Sequence, residues 1–220
     1  NQLRLSGPSN LLGGEAFHAI NNIENIDASQ SSNPFGQIRG DGSDNRLVGG
    51  SGDDFLAGRA GADTLIGNGG NDVLRGGVGD ALRGGPGTDT IKVGTADGVT
   101  VDGGGGVDTL AVPGLASGDT TQNRIDLSGS QSGKLEGTDF ATLTGLENVD
   151  ASSVGSHGLA LIGAADGGRL IGGGGDDEIT GNGGGDTLRG KAGADVITVS
   201  QATNTTVAGG NDRDTLAIAN

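Results

Sequence analysis

The sequence predicts an all-β chain: a parallel β-solenoid, or β-roll, of short stacked strands, internally duplicated. Three observations carry that prediction. A nine-residue period runs from Gly49 to Arg75, with glycine at positions one and four, aspartate at six and leucine at eight. Apolar residues keep the same register, with Leu47, Leu56, Leu65 and Leu74 nine apart and Leu82 and Ile91 continuing the row. The 220 residues include 49 glycines and four phenylalanines but no cysteine, methionine, tryptophan or tyrosine. That composition cannot fill a large aromatic core, yet it suits narrow coils that bury one aliphatic side chain per strand. A short period of this kind marks a solenoid, in which each unit buries its apolar residue only against its neighbours.

Each unit divides into a turn and a short strand. Glycine supplies positive φ in the turn, and aspartate tolerates such backbone while holding a short carboxylate close to it. Strand alternation then turns position eight inward and positions seven and nine toward solvent. Looser copies begin at Gly40, Gly76 and Gly84. A second array runs from Gly172 through units at Gly181 and Gly190, with Leu170, Ile179, Leu188 and Ile197 as its ladder. A further unit ends each half, at Gly103 and at Gly209.

The two arrays belong to one duplication. Phe17 and Phe140, Asp27 and Asp150, and Gly49 and Gly172 are all 123 apart. Asp89 and Asp195, and Asp108 and Asp214, are 106 apart. The first half therefore carries 17 additional residues, one coil of two units less one turn residue. Two modules are expected: residues 1–118, with leading coils at 1–39 and repeats at 40–112, and residues 119–220, with leading coils at 119–162 and repeats at 163–217. At 18 residues per coil the chain makes ~12 coils. The sequence leaves open whether the halves form one roll or two rolls joined near 113–122.

The unit Gly49-Gly50-Ser51-Gly52-Asp53-Asp54-Phe55-Leu56-Ala57 and its in-register copies resemble the calcium-binding nonapeptide of the RTX (repeats-in-toxin) family, glycine-glycine-x-glycine-x-aspartate-x-apolar-x. The resemblance implies a parallel β-roll in which six residues turn around calcium, three form a strand, and units 18 apart stack. It places each ion between two stacked turns, held by both aspartates and by main-chain carbonyls of positions one to four. On one side the row is Asp54, Asp72, Asp89 and Asp108, with Asp177, Asp195 and Asp214 as its second-half counterpart. On the other side it is Asn45, Asp63 and Asp80, with Asp186 alone in the second half because Gly168 replaces an aspartate. The carbonyls implied are those of Gly49, Ser51, Asn68 and Gly70; Gly67, Gly69, Gly85 and Gly87; Gly58, Ala60, Gly77 and Gly79; and Gly172, Gly174, Lys191 and Gly193. About five to seven calcium ions are expected, since calcium takes six to eight oxygens per site. The sites containing Asn45 and the shortened Gly76–Asp80 turn are the poorer ones.

Charge narrows the function classes. The chain has 28 acidic and 13 basic residues, for a net charge of −15. Only Glu15, Glu24, Glu136, Glu147 and Glu178 among those acids are glutamate, a bias suited to ligands in tight turns. Such acidity argues against nucleic acid and anionic membrane surfaces. No apolar run approaches the roughly 18 residues of a membrane span, so no membrane insertion is expected. His18 and His157 are isolated, no nucleophile elbow occurs, and the Asp53-Asp54 and Asp176-Asp177 doublets fall in the calcium turns. Arg39-Gly40-Asp41 is read as coincidence. The expected function is non-enzymatic: a calcium-binding structural module that folds outside the cell within a larger secreted or surface-attached bacterial protein, an adhesin or surface-layer protein. RTX relatives typically leave by a one-step, type I exporter. The alternative is the calcium-binding tail of a secreted enzyme or toxin (a protease, lipase or alginate epimerase). Neighbouring copies or domains of the same protein are the expected partners besides calcium.

Overall fold

The computed structural model describes residues 24–32, 37–115, 123–129 and 131–219, together with the backbone of four leading strands at Gln2–Arg4, Leu11–Leu12, Glu15–Ala16 and Ile20–Asn21. Phe17, His18 and residues 116–122 lie outside them. All regular structure among the described residues is strand, mostly of two to four residues.

One face of the roll is a continuous parallel sheet of ten strands. It runs Ile20–Asn21, Ile38–Arg39, Phe55–Ala57, Val73–Gly76, Thr90–Val93, Thr109–Ala111, Asn148–Asp150, Arg169–Ile171, Thr187–Lys191 and Thr206–Gly210. The opposite face is two seven-stranded sheets in succession. The leading one ends Ala81–Gly87, Thr100–Gly106, Thr142–Thr144. The trailing one starts with an antiparallel hairpin, Arg124–Asp126, Ser132–Leu135 and Thr138–Asp139, and continues in parallel through Ala160–Ile162, Glu178–Gly181, Val196–Val199 and Thr215–Ile218.

The apolar ladder therefore splits into two facing rows. Ile38, Leu56, Leu74, Ile91, Leu110, Val149, Leu170 and Leu188 stack in register along the long sheet, all buried. Leu47, Leu65, Leu82, Val101 and Leu143, then Ile125, Leu161, Ile179 and Ile197, face them from the short sheets. Leu110 pairs directly with Val149, so the halves form one roll on this face.

Two expectations are corrected, and one placement was not foreseen. The long sheet has ten strands where ~12 coils were expected, because 39 residues separate Leu110 from Val149 and build the hairpin as well as one coil. Position nine is not uniformly solvent-facing: Val48, Ala57 and Ile171 are buried. Ala57, for one, lies between Arg39 and Arg75 in strand register. Lastly, sequence-equivalent strands of the two halves lie on opposite faces. Phe55–Ala57 belongs to the long sheet, whereas its counterpart Glu178–Gly181 belongs to the trailing short sheet.

Candidate metal centre

Each repeat aspartate is the last turn residue before a strand, and the strand's pairing fixes where its carboxylate goes. Asp54, Asp63, Asp72, Asp80, Asp89, Asp108, Asp177, Asp186 and Asp195 are buried, as is Asn45. One carboxylate oxygen of Asp63, Asp72, Asp80, Asp89, Asp108, Asp177, Asp186 and Asp195 reaches back to an amide of the preceding coil. The amide of Asp54 donates to Asp72 Oδ1 at 2.8 Å, that of Asp72 to Asp89 Oδ1 at 2.7 Å, and that of Asp89 to Asp108 Oδ1 at 2.8 Å. Asn45, Asp63 and Asp80 repeat the ladder on the other edge at 2.8 and 2.7 Å. In the second half Asp177 and Asp195 donate to Asp195 and Asp214 at 2.9 and 3.1 Å. The amide of Gly168 donates to Asp186 Oδ1, so this link survives the missing aspartate.

The other oxygen points into the turn. Oδ2 of Asp63, Asp72, Asp89, Asp108, Asp186 and Asp195 is buried with no hydrogen-bond donor. Only at the ends of rows does Oδ2 find an amide: Gly50 to Asp54, Gly173 to Asp177 and Gly77 to Asp80, each 2.7 Å. Position-one glycine makes room for this oxygen. A β-carbon on Gly67 would strike Asp72 Oδ2 and stand 2.7 Å from the Gly84 carbonyl of the next coil. Gly49 would meet Asp54 Oδ2 and the Gly67 carbonyl, and Gly84 would meet Asp89 Oδ2 and the Gly103 carbonyl. Gly172 and Gly190 repeat this with Asp177 and Gly190, then Asp195 and Gly209. A carboxylate oxygen thus converges with the carbonyl of the stacked turn at these five glycines, and Gly103 adds a sixth place, where a β-carbon would meet Asp108 Oδ2 and the Gly145 carbonyl. The first five lie at the stacks Asp54/Asp72, Asp72/Asp89, Asp89/Asp108, Asp177/Asp195 and Asp195/Asp214.

The stacks at Asn45 and at the shortened Gly76–Asp80 turn have other surroundings. At Gly40 the converging pair is the Asn45 amide oxygen and the Gly58 carbonyl, with no charge. At the shortened turn, Gly76 is crowded by the Leu82 methyls and Asp80 Oδ2 instead of a stacked carbonyl. Some predicted carbonyls have other partners. Gly49 O accepts Asn68 Nδ2 at 2.8 Å, and the turn Gly85–Gly87 pairs in strand register with Gly104–Gly106. Position-two Asn68 and Lys191 take φ of 77° and 88°, and position-four Gly70 and Gly193 take 107° and 111°. The remaining predicted carbonyl residues, Ser51, Gly69, Gly58, Ala60, Gly77, Gly79 and Gly174, lie in the same turns.

Two placements were not foreseen. The strong rows of the two halves occupy opposite edges: Asp54–Asp108 precede long-sheet strands, whereas Asp177, Asp195 and Asp214 precede strands of the trailing short sheet. Glu147 also continues the first row, its Oε2 accepting from the Asp108 amide at 2.7 Å. Its sequence signal was weak, because the residue is longer and sits 39 positions beyond Asp108, outside the period.

Electrostatics follow from burial. Desolvation pushes Asp72 and Asp177 up to about 7 and Asp63 and Asp108 up to about 6. Asp80, Asp89, Asp186 and Asp195 are shifted upward by the same cause. Amide donors oppose the shift, and neighbouring carboxylates add to it at Asp72 and Asp108. Without a cation, the turns thus bury carboxylates at a cost. Among the described residues no three acidic, histidine or cysteine side chains converge. The donor set is paired carboxylates plus carbonyls, the hard oxygen environment that suits calcium and not the softer transition metals.

Comparison with known families agrees with this chemistry. Residues 39–74, 48–82, 58–91 and 162–197 match the RTX calcium-binding nonapeptide repeat, in four copies. No curated protein matches the chain.

Proposed function

We infer that this chain, a calcium-binding module of RTX nonapeptide repeats, serves as a non-catalytic, calcium-rigidified spacer in a larger secreted or surface-attached protein of the adhesin or surface-layer kind. The observation that carries the reading is continuity. The duplicated modules share one ten-stranded sheet, joined where Leu110 meets Val149, so adding a module lengthens a single rod. A spacer gains from such growth, whereas a folding tail for one catalytic domain does not require it.

The ions would sit in the stacked turns, between Asp54 and Asp72, Asp72 and Asp89, Asp89 and Asp108, Asp177 and Asp195, and Asp195 and Asp214. Each would be held by aspartate Oδ2 and carbonyls of the adjoining turn. Bound calcium would neutralise the stacked carboxylates and cross-link successive coils. Asn45/Asp63, Asp63/Asp80, Asp108/Glu147 and Asp186 are secondary positions.

An antibody raised against this module tests the reading on cells of the source organism. Retention of the full-length parent on the outer surface in calcium supports the spacer. Release into the medium with a hydrolase or lyase activity in the same polypeptide supports the enzyme tail instead.

A further inference from the structure

On the outer face of the long sheet the roll has a hollow of about 320 Å³ lined by Arg39, Phe55, Ala57, Arg59, Arg75 and Gly76. Strand register builds it. Arg39 and Arg75 flank Ala57 on either side, so two long cationic side chains border one small residue. Arg59 enters from the turn that follows, with φ of 84°, a left-handed backbone costly for a residue with a β-carbon. Three guanidinium groups thus gather in a chain of net charge −15.

Four other cations of the chain are paired with acids. Arg83, Arg124, Lys134 and Arg169 each pair with an aspartate at 3.4, 2.7, 3.7 and 3.6 Å. Among the described residues no acid pairs with Arg39 or Arg75. Arg39 Nε is buried without an acceptor. A buried donor left unsatisfied costs on the order of 1–3 kcal/mol, and clustered like charges add repulsion.

The duplication supplies an internal control. The trailing short sheet aligns Ile162, Thr180 and Thr198 in the register that the long sheet gives Arg39, Ala57 and Arg75. Glu178 stands where Phe55 does, and Asn182 where Arg59 does. The roll therefore forms this surface without arginine, and the cationic hollow is not required by the fold.

We propose that Arg39, Arg59 and Arg75 form a binding site for an oxyanion, a carboxylate or sulfate carried by a compact organic molecule such as an acidic monosaccharide. Planar guanidinium forks match both groups. The half-buried Phe55 and buried Ala57 provide an apolar floor. The volume lies at the small end for ligand pockets and admits one ring.

The test uses the whole chain folded in calcium, titrated by calorimetry with glucuronate, sodium sulfate and glucose. Saturable one-site binding of glucuronate, or of sulfate, with none of glucose is expected. Glucuronate tighter than sulfate assigns the site to an organic acid, and equal affinity assigns it to the bare anion. Arg39→Gln with Arg75→Gln should weaken binding at least tenfold, while Arg83→Gln should not. Chemical-shift mapping of arginine Nε resonances on the unaltered protein locates the anion whether or not the variants fold. Absence of anion binding, wild-type affinity in the folded double variant, or shifts away from Arg39 and Arg75 would overturn the proposal.

Discussion

The main-chain amide of Asp54 donates to Oδ1 of Asp72, 18 residues later, at 2.8 Å. That bond leaves Asp72 Oδ2 as a buried, undonated oxygen beside the next coil's Gly84 carbonyl. One carboxylate therefore does two jobs. Oδ1 sets the stacking of coils, and Oδ2 demands a cation.

Separating those jobs gives the first expectation. Asp72→Asn keeps an oxygen for the Asp54 amide and removes the buried charge; the roll already carries an uncharged amide at this position in Asn45, whose Oδ1 accepts from the Asp41 amide of its own turn at 2.8 Å. Calcium-free Asp72→Asn should unfold at higher denaturant than the parent. Its calcium affinity should fall roughly tenfold or more, a loss of at least about 1.4 kcal/mol. Paired chemical denaturation and calcium titration read both effects, and opposite signs are the expected result.

Position-one glycine is the second test. Gly67→Ala drives a β-carbon into Asp72 Oδ2 and the Gly84 carbonyl. Overpacking of this kind costs about 1–3 kcal/mol. Gly42→Ala meets nothing within 4 Å and should be near neutral. Calcium-saturated thermal midpoints compare the two.

Continuity of the long sheet makes the third. Leu110 is fully buried between Ile91 and Val149. Leu110→Ala should cost about 2–5 kcal/mol and lower one shared transition. Calorimetry showing two separate transitions, with only one moved, would mean that the halves fold independently.

Much of this was legible in the sequence, because a solenoid writes its contacts at a fixed spacing. Leu56 and Leu74, and Asp72 and Asp89, are neighbours in space at the intervals their period predicts. The reversal of faces in the second half was not legible. Residues between Leu110 and Val149 form a hairpin as well as a coil, so strand parity cannot be counted through them. Glu147 escaped for the same reason, lying outside the period that identified its row. Ala57 is buried between the flanking strands that carry Arg39 and Arg75, a neighbourhood that alternation within one strand does not report.

The fourth expectation concerns pH. Asp72 and Asp177, at about 7 in the roll against a reference of 3.8, bind protons more tightly folded than unfolded. Such groups stabilise the calcium-free roll fully below about pH 4, and that contribution is lost as pH rises through about 7. Calcium needs the deprotonated form, so its affinity moves oppositely and rises over the same window. Far-UV circular dichroism in chelator should therefore show more strand at pH 5 than at pH 8, with calcium largely erasing the difference.

Coupling of folding to calcium is the central claim. Each coil buries about one leucine-sized residue per strand, worth roughly 1.5–3 kcal/mol. Every ion that binds only the folded roll adds about 1.4 kcal/mol at ten times its dissociation constant. The most direct measurement is far-UV circular dichroism of the whole chain at pH 8, first in chelator, then with rising calcium or magnesium. The account predicts loss of the strand spectrum in chelator, cooperative recovery in calcium at roughly millimolar concentration, and no recovery in equal magnesium. Full strand content and protease resistance in chelator at that pH would contradict it.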